Sequence, residues 1–154
     1  MPNQAGPSCK LIVRRLVCIQ ACGVTLLDAV ESIGEKGVRQ VSLFFGAGTN
    51  PEDISFAKGW EIVATGGVGE GLWYVAESKN VGPLELNLAS ERVQIDPAKA
   101  ELDLLSAANA AVAVRNGECA DTVLTWLKYH CTSHGMNAAV ILNRAKPDTD
   151  EKFL

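Results

Sequence analysis

The stretch AVRNGECADTVLTWLKYHCTSHG, residues 113–135, constrains the chain more than any other. An apolar strand, AAVAV (110–114), runs into it and breaks at Arg115-Asn116-Gly117-Glu118. A helix is then predicted over 119–135, with its apolar stripe at Ala120, Val123, Leu124, Leu127 and Cys131, and Trp126 and Tyr129 partly off it. Gly135 suits the left-handed position that ends such a helix. NAAVILNRA (137–145) follows as a second strand. Strand, helix and strand with short links predict a parallel pair joined by a right-handed crossover.

The first third carries a similar pattern. LIVRRLVCI (11–19) is rich in β-branched residues and reads as a buried strand. In GVTLLDAVESIG (23–34), Val24, Leu27, Val30 and Ile33 recur at helical spacing before Gly34, and RQVSLFFG (39–46) reads as another strand. The middle differs: GWEIVAT (59–65), LWYVAES (72–78) and PLELNLA (83–89) are short strand candidates between Gly- or Pro-containing turns, with ERVQI (91–95) as a fourth, and such neighbours pair antiparallel. DPAKAELDLLSAAN (96–109) reads as a helix with Asp96 as N-cap and Pro97 in the first turn. The expected fold class is therefore α/β, a mixed sheet with two βαβ-like units flanking an antiparallel middle section. The expected organisation is a flexible leader over 1–9, an N-terminal α/β domain or sub-lobe over 10–107, a βαβ unit over 108–146 and a polar tail over 147–154.

With 154 residues, 47% of them apolar and 21% charged, the chain has the makings of an ordinary core in one domain or a domain with a sub-lobe. A net charge of −4, with Lys and Arg scattered, speaks against a nucleic-acid partner. Cys9, Cys18, Cys22, Cys119 and Cys131 are odd in number and widely spaced, which fits reduced thiols and a cytoplasmic location rather than a disulfide framework. The first apolar run is split by Arg14 and Arg15, and no run is long enough to span a membrane.

Several stretches invite a chemical reading. TGGVGEGLWYV (65–75) has Gly67, Gly69 and Gly71, but a dinucleotide fingerprint opens a helix and a strand-like run follows here, so a hairpin is expected. FFGAGTNPED (44–53) is a Gly-rich turn at the end of a strand, and a plain loop is expected. His130 and His134 in HCTSH stand at i, i+4 near a helix end, and two His on one helix face can bind zinc; the glutamate of a metalloprotease motif is missing, and helix-end and packing roles are expected over a metal. No nucleophile–base constellation and no paired-carboxylate motif stands out, so no catalytic and no metal-ligating residue is assigned. At Arg115-Asn116-Gly117-Glu118 two readings stay open. A strand end feeding a helix offers free N–H groups, a fixed charge on Arg115 and a donor–acceptor amide on Asn116. A capped turn, with Asn116 or Asp121 satisfying helix N–H groups, uses the same residues.

Residues 109–146 resemble the opening of a GT-A-type glycosyltransferase of the family-2-like group. Arg115-Asn116 match the turn of that opening, Glu118 its acidic position with Gly117 taken as an insertion, Trp126, Leu127, Tyr129 and His130 its helix pattern, and Gly135 the helix end. The resemblance implies a nucleotide-sugar donor whose nucleotide faces Arg115, Asn116 and Glu118, with Asn143 and Arg144 from the second strand. It implies Mg or Mn with the nucleotide-sugar in a complete enzyme, although Asn143 stands where the family has an acidic run and the family's Asp-x-Asp site and catalytic base fall beyond the matched stretch. The expectation is an N-terminal portion of a glycosyltransferase, not catalytically complete, with no cofactor of its own. The alternatives are a non-enzymatic interaction or structural α/β domain, and a nucleotide-binding regulatory module using the glycine loops.

Overall fold

The computed structural model describes residues 14–79, 81–101 and 103–144; the expected leader and polar tail lie outside them. The chain divides into two compact units, one ending at Ala100 and one starting at Glu101.

The first unit is a β-sandwich. Its strands are β1 (Ile19–Ala21), β2 (Val24–Ile33), β3 (Arg39–Phe45), β4 (Ile54–Phe56), β5 (Glu61–Val68), β6 (Gly71–Ser78), β7 (Leu84–Leu88), β8 (Glu91–Ile95) and β9 (Ala98–Lys99), with a 3-10 turn at Pro51–Asp53. One sheet runs β1-β2-β3-β6-β5, with β9 added parallel to β2; the other runs β4-β7-β8. Apart from β9, every pairing in the two sheets is antiparallel. Alternate residues point inward, as the period-2 pleat requires. Val24, Leu26, Val41 and Leu43 from the larger sheet and Leu84, Leu86, Leu88 and Ile95 from the smaller are almost fully buried in one shared core. Phe45 meets Tyr74 nearly edge-on at 5.8 Å, and Phe56 of the smaller sheet meets the same Tyr74 at 6.0 Å.

This architecture overturns the expected α/β fold class. The described chain is 49% strand and 14% helix, and the first expected βαβ unit is absent. Of the expected strand 11–19, residues 11–13 lie outside the described residues, 14–18 belong to no strand, and only Ile19 enters β1. The expected helix 23–34 is β2, paired antiparallel with β3 instead of crossing over to it. A bulge explains the false helical spacing: the register with β3 shifts between Leu26 and Asp28, so the inward positions change parity and Ala29 is buried beside Leu26. Leu27 and Ile33, half of the apparent helical stripe, are 41% and 65% exposed. Asp28, opposite the exposed Phe44 on the other face, is buried as well, because two Arg14 guanidinium nitrogens and the Val17 N–H bond to its carboxylate.

The expected helix 96–109 is likewise not formed. Ala98 and Lys99 pair with Val30 and Glu31, and 103–107 make separate turns, with Leu104 bonded back to Glu101 and Ser106 to Asp103. Leu104 and Leu105 are exposed, and a helix of this length is marginal without a buried apolar face.

The second unit contains β10 (Ala110–Arg115), α1 (Ala120–His134) and β11 (Ala138–Asn143). β10 and β11 pair parallel in register from Ala110↔Ala138 to Arg115↔Asn143. Asn109 and Asn137 fix the lower end: the Asn137 Oδ1 accepts the Asn109 N–H at 2.8 Å, and the Asn109 Nδ2 donates to the His134 and Gly135 carbonyls at 3.1 and 3.2 Å. Gly135 takes the left-handed conformation and its N–H closes on the His130 carbonyl, ending α1. Among the described residues no helix is long and apolar enough to cross a membrane.

Candidate functional site

The carboxyl ends of β10 and β11 and the amino end of α1 meet in the second unit, and the five residues singled out by sequence all lie there. Arg115 ends β10 and Asn143 ends β11 as register partners. Arg144 follows directly, its N–H bonded to the Arg115 carbonyl at 2.8 Å. Asn116 and Glu118 form the turn into α1, and Gly117 between them has φ 121, a conformation that disfavours any side chain.

Their roles separate once the bonds are traced. Arg115 is 4% exposed; its Nε donates to the Glu118 carbonyl at 2.7 Å and its Nη1 to the Asn143 Oδ1 at 2.9 Å. One planar fork thus ties the turn to the neighbouring strand. The Glu118 carboxylate reaches back and accepts the Asn116 N–H at 2.7 Å. Its pKa is held below the ordinary carboxylate value by its own backbone N–H, then that of Asn116, then the Arg115 charge and the Gly117 N–H. Arg115, Glu118 and Asn143 therefore brace one another, while the side chains of Asn116 and Arg144 are exposed at the edge.

Neither Asn116 nor Asp121 is the N-cap of α1. That position is Cys119, whose Sγ lies 3.3 Å from the Thr122 hydroxyl. The Thr122 hydroxyl, with the Thr122 backbone N–H behind it, lowers the Cys119 thiol pKa. Sequence reasoning started the helix at Cys119 itself and passed it over as a cap because thiols are weak caps.

The other stretches carry less. Gly67, Gly69 and Gly71 belong to the β5–β6 hairpin, and a strand follows them. Gly66 in that hairpin lies under the Trp73 indole, where an added Cβ would stand 2.5 Å from Cζ2. Asn50 caps the 3-10 turn by accepting the Glu52 N–H at 3.3 Å. In the sandwich, an open depression of about 520 Å3 is lined by Glu31, Ile33, Val38, Arg39, Ser78 and Lys79 among others. Its Arg39 is already committed, to Glu31 at 2.6 Å and over the Trp60 ring at 5.1 Å.

The strand-end site does not fit a Mg or Mn centre. Such hard cations take several carboxylate or carbonyl oxygens, and the Glu118 carboxylate is engaged by backbone N–H groups. Among the described residues no three His, Cys, Asp or Glu side chains gather to hold a metal. The protein-family models, the curated proteins and the solved structures searched return no match to this chain.

Proposed function

We propose that the β10-α1-β11 unit is the nucleotide-facing portion of a glycosyltransferase core that uses a nucleotide-sugar donor, with the β-sandwich as an accessory unit. One observation carries the reading: the parallel register of β10 with β11 brings Arg115, Asn116, Glu118, Asn143 and Arg144 to the carboxyl edge of the pair. Open α/β sheets take ligands at that edge, and a helix amino end favours phosphate. In this proposal Asn116 and Arg144 touch the nucleotide, and Arg115, Glu118 and Asn143 are positioning residues that hold the edge in shape. No step is routed through a metal.

Calorimetric titration with UDP and GDP tests it. Binding should be weakened by Asn116→Ala and by Arg144→Ala, and ligand at ten times its Kd should stabilise the chain by about 1.4 kcal/mol. No heat and no stabilisation at millimolar nucleotide would remove the reading.

A second reading, a non-enzymatic interaction module, has its own support. Val112, Val114 and Leu142 share one face of the β10–β11 pair and are 66%, 48% and 52% exposed. Parallel sheets ordinarily have both faces covered. Concentration-dependent self-association with no nucleotide binding would favour this second reading.

A further inference from the structure

At the carboxyl end of α1, His130 and His134 stand four residues apart, so both side chains leave the same helix face one turn from each other. Their rings are held in place by neighbours. His130 packs on Trp126 with centroids 4.5 Å apart and meets Tyr129 at 5.2 Å, nearly perpendicular. The same Tyr129 ring meets His134 at 5.5 Å. The two imidazoles end up with centroids 5.1 Å apart and planes inclined by 31°. His134 is exposed and His130 half-exposed, so both are reachable from solvent.

We infer that His130 and His134 form a two-nitrogen clamp for a borderline divalent transition metal, Cu2+, Ni2+ or Zn2+, with water filling the other positions. The spacing carries the inference. A metal–imidazole bond is about 2.0–2.1 Å and a ring centre lies about 1.1 Å behind its nitrogen, so each ring centre sits roughly 3.2 Å from a shared metal. For ligand angles of about 90–110°, from square-planar to tetrahedral, the two centres are then roughly 4.5–5.2 Å apart. The observed 5.1 Å lies in that interval.

Two further features agree. Neutral imidazole is a preferred donor for these three metals. The clamp also sits in the last helical turn, where the His130 carbonyl takes the Gly135 and Met136 N–H groups and the negative end of the helix dipole favours a cation.

Two protein donors define what kind of site this is. Structural zinc takes four protein ligands and catalytic zinc three, and no third donor joins the pair among the described residues. The clamp is an open, exchangeable one. Cys131 follows His130 in sequence, but one residue of helical turn carries it off the shared face. The inference does not rest on the nucleotide proposal, since α1 separates this end from the strand-end site by about 20 Å at 1.5 Å per residue.

The test is titration of the 154-residue chain with Cu2+, Ni2+ and Zn2+ separately, by calorimetry near neutral pH. The expected result is one equivalent bound, with His130→Ala and His134→Ala each lowering the affinity about a hundredfold, because the second nitrogen binds as an intramolecular ligand. Because thiols bind the same metals, Cys131→Ser and Cys119→Ser serve as controls and should leave the affinity unchanged. Electron paramagnetic resonance of the Cu2+-loaded parent should show coupling to two imidazole nitrogens, a readout independent of whether any variant folds. The inference is overturned if the parent binds none of the three metals, if the serine variants abolish binding, or if the resonance shows fewer than two nitrogens.

Discussion

Replacing Arg115 by methionine removes the guanidinium and keeps most of the apolar stem. Two hydrogen bonds from a charged donor are lost, to the Glu118 carbonyl at 2.7 Å and to the Asn143 Oδ1 at 2.9 Å, in a side chain only 4% exposed. Each such bond contributes about 1.5–3 kcal/mol. Against that loss stands the desolvation cost of a buried guanidinium, several kcal/mol, which the variant no longer bears. The net effect is a local destabilisation of about 2–3 kcal/mol, roughly a 25- to 140-fold change in an opening equilibrium at about 1.4 kcal/mol per tenfold. Native-state hydrogen exchange reads it directly. The Arg144 N–H, bonded to the Arg115 carbonyl, and the Thr122 and Val123 N–H groups, bonded to the Cys119 carbonyl, should lose that much protection. Those of Leu43 and Ala76 in the sandwich should not change. Arg115→Lys should fall between, because one ammonium cannot reproduce the fork. Unchanged protection at Arg144 in the methionine variant would refute the claim that this side chain holds the strand-end turn together.

Three other outcomes follow from the geometry. The Glu118 pKa lies below its ordinary 4.5, so the stability it contributes is complete above that value and is lost as the pH falls through the folded pKa; protection of the Asn116 N–H should decline there in the parent and show no such step in Glu118→Gln. Gly66→Val drives a side chain into the Trp73 indole and should cost about 1–3 kcal/mol, with Trp73 emission red-shifted in a background where Trp60 and Trp126 are phenylalanine. With the Thr122 hydroxyl removed in Thr122→Val, Cys119 should react more slowly with a disulfide reagent near pH 8, because the contact that lowers its thiol pKa is gone.

What could be read from sequence followed the range of the interactions. The helix expected over 119–135 is found at Ala120–His134, and the alternation in LELNL gives the buried Leu84, Leu86 and Leu88, because both patterns are local. The first third misled because a β-bulge at Leu26/Asp28 and four apolar residues three apart imitate helical periodicity, and only pairing with β3 decides between them. The sandwich itself depends on β6 joining β3 across the intervening β4 and β5, a choice that no single segment encodes. Residue types and order singled out Arg115, Asn116, Glu118, Asn143 and Arg144, which the fold brings to one strand edge. The bonding between Arg115 and Asn143, 28 positions apart, needs the parallel register, and that register assigns Arg115 to bracing and leaves Asn116 and Arg144 facing outward.

The most direct test of the central claim is an amide-resolved NMR titration of the chain with UDP and, separately, GDP. The account predicts shifts concentrated at the backbone amides of 116–119 and at Arg144, with the sandwich resonances of β3 and β6 unmoved. Saturating nucleotide that perturbs no amide at this edge, or that perturbs only the sandwich, would contradict it.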